Sequence, residues 1–285
     1  MATALRGAGA EPLLLPLIDF ERARDQAAFA AAVERLAAGE YSWLVVSSIT
    51  TVRALKDFAA ARGGELASMV PDGVRIATIG PSSRRVLEAE GLRVDLAPGD
   101  KQSAEGLLEL WGAVDDGGAA GADGAGMVRV LIPQSDLAAD TLAQGLDARG
   151  WDVETVTAYA TVDYPADPAQ RLTSHLAVGA EPSAAVVLSP EEACGELAAG
   201  RIDAVVAASP SAARRIHATL SPLKATLIVA IGQPTAAELR SLGLDVGAVA
   251  AAPTPEGIVD AVARALADAG SSLLGPSSHP PNRDH

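Results

Sequence analysis

A chain of 285 residues, 49% hydrophobic and 20% charged, has room for about two domains with a buried core each. Its 22 Lys and Arg against 36 Asp and Glu give a formal charge of −14, which argues against a nucleic-acid binder or an anionic membrane surface as partner. A single cysteine, Cys194, excludes an intramolecular disulfide and any multi-cysteine metal centre, and the four histidines are too scattered for a local metal motif. No apolar run reaches the roughly 18 residues needed to span a bilayer. The opening MATALRGAGAEPLLLPLIDF lacks a signal-like core with a small-residue cleavage site, so the expectation is a soluble, cytoplasmic protein.

Along the chain, short β-branched runs alternate with amphipathic stretches. Strands are predicted at WLVV (43–46), RIATI (75–79), VRVLI (128–132), DVETVT (152–157), DAVV (203–206) and LIVAI (227–231). Helices are predicted at 25–38, 50–62, 82–90, 103–112, 137–149, 211–219, 234–242 and 255–267. Residues 114–126, VDDGGAAGADGAG, read as a flexible surface loop, and 270–285 as a disordered tail. Strands that are apolar throughout suit a parallel sheet covered on both faces, so the class is α/β. The stretch 177–200 reads as an insertion; its AAVVLSP competes with AVVAASP as the true strand, and spacing to Ile231 favours the latter.

An internal repeat organises these elements. IATIGPSSRRVLEAEGLRV (76–94) and IVAIGQPTAAELRSLGLDV (228–246) share seven of 19 positions. LVVSSITTV (44–52) resembles VVAASPSAA (205–213), and SAEGLLELW (103–111) resembles TPEGIVDAV (254–262). ALRGAGAEPLLLPLIDF (4–20) resembles GLDARGWDVETVTAYAT (145–161). Two similar α/β lobes with a cleft between them are expected. The second copy has the strand VRVLIPQSD before its GLDARG helix, whereas the first begins at Met1 already in that helix. A late start codon explains the missing strand better than a lobe built with one strand fewer, because a lost strand exposes sheet edge.

Small hydroxyl residues recur where a strand hands over to a helix. They are Ser47-Ser48, Gly80-Pro81-Ser82-Ser83, Gln134-Ser135-Asp136, Ser209-Pro210-Ser211 and Gly232-Gln233-Pro234-Thr235. Such turns cluster at the carboxyl ends of parallel strands, and helix starts present free N–H donors that suit an anion. Ser and Thr are also ordinary N-caps, so capping alone explains any one turn. No dinucleotide, P-loop or nucleophile-elbow signature is present. Tyr159, one of three tyrosines, sits where the repeat returns the chain from one lobe to the other.

Taken together, PLIDFE (16–21), YSWLVVSS (41–48), ATIGPSSRRVLEAEGL (77–92), VLIPQSDLA through AYATV (130–162), IDAVVAASPSAARRI (202–216) and AIGQPTAAELRSLGL (230–244) make the chain similar to the uroporphyrinogen-III synthase family, actinobacterial type. The resemblance implies two flavodoxin-like parallel-sheet domains joined by a two-stranded ladder, PLIDFE against TAYATV. Residues 1–17 and 163–269 would form domain one and 18–162 an inserted domain two. It implies closure of hydroxymethylbilane, an octa-carboxylate, to uroporphyrinogen III with inversion of ring D, loss of water and no cofactor or metal. It further implies a monomer that receives its substrate from hydroxymethylbilane synthase. By resemblance Tyr159 is the catalytic residue, assisting departure of the hydroxyl. Ser48, Ser82, Ser83, Gln134, Ser135, Ser209 and Thr235 would bind substrate. The alternative is a two-lobed binding or regulatory protein of the same fold without catalysis, against which the presence of Tyr159 argues.

Overall fold

The computed structural model describes residues 1–112, 129–176 and 185–273. The loop predicted at 114–126, the tail beyond 273 and the first residues of the 177–200 stretch lie outside the described residues. Two compact units emerge, Met1–Leu17 with Pro182–His285, and Ile18–Glu181.

The first unit opens with α1 (Ala2–Gly7) and β1 (Leu13–Leu14). The chain then enters the second unit through β2 (Ile18–Arg22), α2 (Gln26–Ala37), β3 (Trp43–Val46), α3 (Ile49–Ala61), β4 (Arg75–Thr78), α4 (Pro81–Ala89) and α5 (Ala104–Leu110). It continues through β5 (Arg129–Ser135), α6 (Thr141–Asp147) and β6 (Asp152–Asp163). The first unit resumes with β7 (Val186–Val187), α7 (Pro190–Ala198), β8 (Ala204–Ala207), α8 (Pro210–Leu220), β9 (Leu227–Ala230), α9 (Gln233–Ser241), β10 (Ala248–Val249) and α10 (Pro255–Leu273).

The second unit is a five-stranded sheet in the order β2-β6-β5-β3-β4, parallel except for β2. Every residue of β3 is buried, as its unbroken apolar run requires of a strand covered on both faces. One face packs on α2 and α3 through Phe29, Val33, Leu36, Val52 and Leu55. The other packs Trp43, Trp111 and Trp151 together, with Trp43 and Trp111 centroids 4.6 Å apart. At the amino-terminal edge of the parallel strands, Tyr41 Oη donates to Glu154 at 2.7 Å, and Arg35 and Arg129 converge on the same carboxylate. Burial, then the Glu154 acceptor, pushes the Tyr41 phenol above its ordinary value.

In the first unit β8, β9 and β10 form a parallel sheet in the order β10-β9-β8, while β1 pairs in parallel with β7. Both competing apolar runs are therefore strands: AVVAASP (204–210) supplies the four-residue β8, and AAVVLSP, within 177–200, the two-residue β7. The repeat is visible in the backbone, since α4 and α9 both end at a left-handed glycine, Gly91 (φ +86°) and Gly243 (φ +75°). Helix α10 runs to Leu273, so 270–273 belong to a helix rather than to the expected tail.

The anticipated ladder pairs Ile18 with Asp163, Phe20 with Thr161 and Arg22 with Tyr159, antiparallel. It lies wholly inside the second unit, and so do residues 163–176, which resemblance had assigned to domain one. The backbone explains this shift: Arg22 N donates to Gln170 O at 2.8 Å and Leu172 N to Phe20 O at 3.0 Å. Asp57, buried on α3, accepts the N–H groups of Thr173 (3.1 Å) and Ser174 (2.7 Å). Asp19 accepts from Ala166 N at 3.1 Å and pairs with Arg171.

Burial acts to raise the Asp19 carboxyl, but the hydrogen bonds from Arg171, Ala166 and Phe20 outweigh it and hold the group below its ordinary value. Its stabilisation is therefore present above that ordinary value, about 3.9, and is lost as pH falls through the lower folded value. Asp19→Asn is expected to cost about 1–2 kcal/mol at pH 7 in denaturant titration, with the difference shrinking below about pH 4. A difference that persisted unchanged at pH 3 would contradict this account.

Candidate functional site

Tyr159 lies on β6 beyond an irregularity in the β5–β6 ladder, where Gln134 faces Thr157 but Ser135 faces Tyr159. The skipped residue, Ala158, re-aims the strand as bulges do. The phenol is buried, 7% exposed, with its ring edge-on to Phe20 at 5.6 Å and 87°. Tyr159 Oη stands 3.1 Å from Ser48 Oγ. Ser48 is the N-cap of α3, with extended backbone and its hydroxyl accepting Thr51 N–H at 3.1 Å.

The contact continues inward. Ser48 Oγ is 3.0 Å from Thr51 Oγ1, and Thr51, fully buried, donates to Pro133 O at 3.4 Å. A carbonyl only accepts, so Thr51 gives its proton to Pro133, Ser48 gives its own to Thr51, and Tyr159 gives its own to Ser48. The phenol oxygen keeps its lone pairs on the side away from Ser48. Thr51 and Phe20 were not singled out in the sequence. Thr51 carries the signal of a hydroxyl three residues after an N-cap, whereas Phe20 is evident only through the ladder register.

The other expected residues separate by unit. Ser82, Ser83, Gln134 and Ser135 share the second unit with Tyr159 and Ser48; Ser209 and Thr235 belong to the first. Ser209 caps α8 as Ser48 caps α3, accepting Ala212 N–H at 3.0 Å. The two positions are equivalent in the repeat. In α4 and α9 the caps are instead Gly80 and Gly232, neither with a side-chain bond. The hydroxyls follow within the first turn: Ser82 is exposed, while Ser83 and the equivalent Thr235 are buried, 5% and 2% exposed. These three are not capping residues.

The 134–136 turn also differs from expectation. Beta-strand geometry continues through Ser135 despite proline at 133, and α6 starts only at Thr141, because Asp136 N–H donates back to Tyr159 O at 3.1 Å. Gln134 and Ser135 are thus ladder residues and open no helix. Ser135 Oγ contacts Thr161 Oγ1 at 3.2 Å and accepts Leu137 N–H, beside Tyr159 on the sheet edge. Among the described residues no group of three or more His, Cys, Asp and Glu side chains could hold a metal ion.

The two serine caps make a matched test. Ser48→Ala and Ser209→Ala are each expected to cost about 1 kcal/mol of unfolding free energy, and Ser82→Ala less than about 0.5. Equal losses at Ser48 and Ser82 in thermal or denaturant unfolding would contradict the capping assignments.

The profile of the Uroporphyrinogen-III synthase HemD family matches residues 1–260. A Methanothermobacter thermautotrophicus protein, provisionally named a uroporphyrinogen-III synthase, is 27% identical over 248 residues, 84% of this chain and 83% of its own. A solved uroporphyrinogen III synthase of the extremely thermophilic bacterium Thermus thermophilus shares the fold at 18% identity, with a TM-score of 0.53 over 94% of each chain. No helix among the described residues is long and apolar enough to cross a membrane. With its sequence matched to the family over nearly its whole length and its elements arranged in two α/β units, the chain belongs to the uroporphyrinogen-III synthase family.

Proposed function

We propose that this protein closes linear hydroxymethylbilane to uroporphyrinogen III, with inversion of ring D and loss of water. Family membership supports the activity, and the observation that carries the site assignment is the Tyr159–Ser48 hydrogen bond at the carboxyl edge of the second unit's strands. The hydroxymethyl C–O bond breaks and the oxygen leaves as water with a proton from the phenol. The electron pair is supplied by the pyrrole nitrogen, giving a cation. Attack by the substituted carbon of ring D, then rearrangement and rearomatisation, releases a proton that restores the phenol. Turning the O–H from Ser48 toward the departing oxygen breaks one hydrogen bond, at a net cost of about 1 kcal/mol.

The chain's role beyond Tyr159 is positional: rigid strand ends and capped helix starts hold the substrate so that ring D attacks through its substituted carbon. Backbone donors at the start of α3 suit its carboxylates. A monomer in the cytoplasm, taking its substrate from hydroxymethylbilane synthase, completes this reading.

The experiment mixes freshly made hydroxymethylbilane with the protein, oxidises the products and separates the uroporphyrin isomers. Isomer III above the no-protein control is expected, and Tyr159→Phe should lower kcat at least about tenfold. Isomer I alone from the wild-type protein would favour the non-catalytic alternative, while an unchanged Tyr159→Phe would remove the phenol from the mechanism.

A further inference from the structure

Beside the ladder, Glu21, Arg22, Ala23, Arg24, Gln26 and Gln170 line an open-sided hollow of about 500 Å³. Arg22 and Arg24 are both exposed, and neither guanidinium has a hydrogen-bond or ion-pair partner among the described residues. The nearest carboxylates by sequence are already engaged by backbone N–H groups: Glu21 accepts from Asp167 at 2.8 Å, and Asp25, the N-cap of α2, accepts from Ala28 at 2.9 Å. Most other arginines of the second unit are committed. Arg35, Arg129 and Arg171 pair with carboxylates, and Arg62 and Arg84 do likewise.

The register places this hollow next to Tyr159. Arg22 is the direct antiparallel partner of Tyr159, so the two side chains leave the same face of the sheet, with Phe20 two residues away on that face and against the phenol ring. The hollow also abuts the start of α2, a twelve-residue helix whose dipole places positive potential there. In a chain of formal charge −14, a polyanion is repelled at long range and is held only by local cations and N–H donors. A guanidinium offers a carboxylate two parallel hydrogen bonds, and Gln26 and Gln170 add neutral donors at the rim.

We propose that Arg22 and Arg24 form a carboxylate subsite that holds an acidic side chain of the linear tetrapyrrole while its reacting end lies at Tyr159. This assignment rests on the function proposed above. The hollow is lined entirely by residues of the second unit, so its geometry is set within one compact body.

The test compares Arg22→Gln, Arg24→Gln and the double variant with wild type and with Arg240→Gln, an exposed arginine on α9 that carries the same change of net charge as either single variant. Two quantities are read: KM and kcat for isomer III formation, and the dissociation constant for uroporphyrin III followed by fluorescence, after thermal melts confirm folding. The double variant is expected to raise KM and the uroporphyrin III dissociation constant about tenfold with kcat within about twofold, each single variant less, and Arg240→Gln not at all. Equal effects of the double variant and Arg240→Gln on both constants would overturn the subsite. If wild type forms no isomer III, the proposed reaction falls by itself. The uroporphyrin III titration then still decides the subsite: weaker binding by the double variant alone upholds it, and unchanged binding rejects it.

Discussion

The hydrogen bond between Tyr159 and Ser48 joins β6 to the start of α3, two parts of the second unit that the chain order keeps far apart. Tyr159 ends up within 3.1 Å of Ser48 because β6 runs parallel to β5 and then steps past it by one residue. Ser48 is fixed by its own task, capping α3, and Thr51 carries the contact on to the β5 carbonyl of Pro133. Phe20, delivered by the antiparallel β2, closes on the ring from the edge. A shift of any of these elements would separate the phenol from its partner, so the chemistry inherits its precision from backbone register. The charged cluster on Glu154 lies at the opposite edge of the sheet from Tyr159.

Duplication reproduces helix starts more faithfully than it reproduces sheets. Ser48 and Ser209 cap their helices in the same way, and Gly80 and Gly232 replace a side-chain cap by extended backbone ahead of a buried hydroxyl, Ser83 or Thr235. The sheets differ: five strands form one sheet in the second unit, whereas the first divides its strands between a pair and a triplet. Electrostatics adds a constraint of its own. A net charge of −14 and a polycarboxylate ligand repel each other, so recognition depends on a few uncommitted donors. Arg22 and Arg24 are two such donors, set together in the hollow beside the ladder and without carboxylate partners among the described residues.

Much of the architecture was legible because it rests on long, uninterrupted signals. WLVV reads as a strand buried on both faces, and it is one; the PLIDFE ladder, inferred through resemblance, has the pairing expected of it. What escaped was short or non-local. The two-residue strands β1 and β10 have no period to detect, and β1 pairs only with the distant β7. The 134–136 turn resembles a helix start in composition, yet a backbone bond from Asp136 to Tyr159 keeps the strand going past the proline within β5. Residues 163–176 look like the return to the first unit, but side chains of β2 and α3, Asp19 and Asp57, capture their N–H groups. Tyr159 and Ser48 were each identifiable alone; that they touch is a consequence of the bulge.

Ser48 acts by holding the Tyr159 phenol where its O–H can turn to the departing oxygen, and a double-mutant cycle on kcat measures that coupling. Tyr159→Phe, Ser48→Ala and the double variant would be compared in the isomer III assay, with unfolding measured alongside to separate the loss of the helix cap. Strong non-additivity is expected, the double variant being close to Tyr159→Phe alone, with a coupling of about 1 kcal/mol or more. Fully additive effects on kcat would show that the two hydroxyls act independently and would contradict the account.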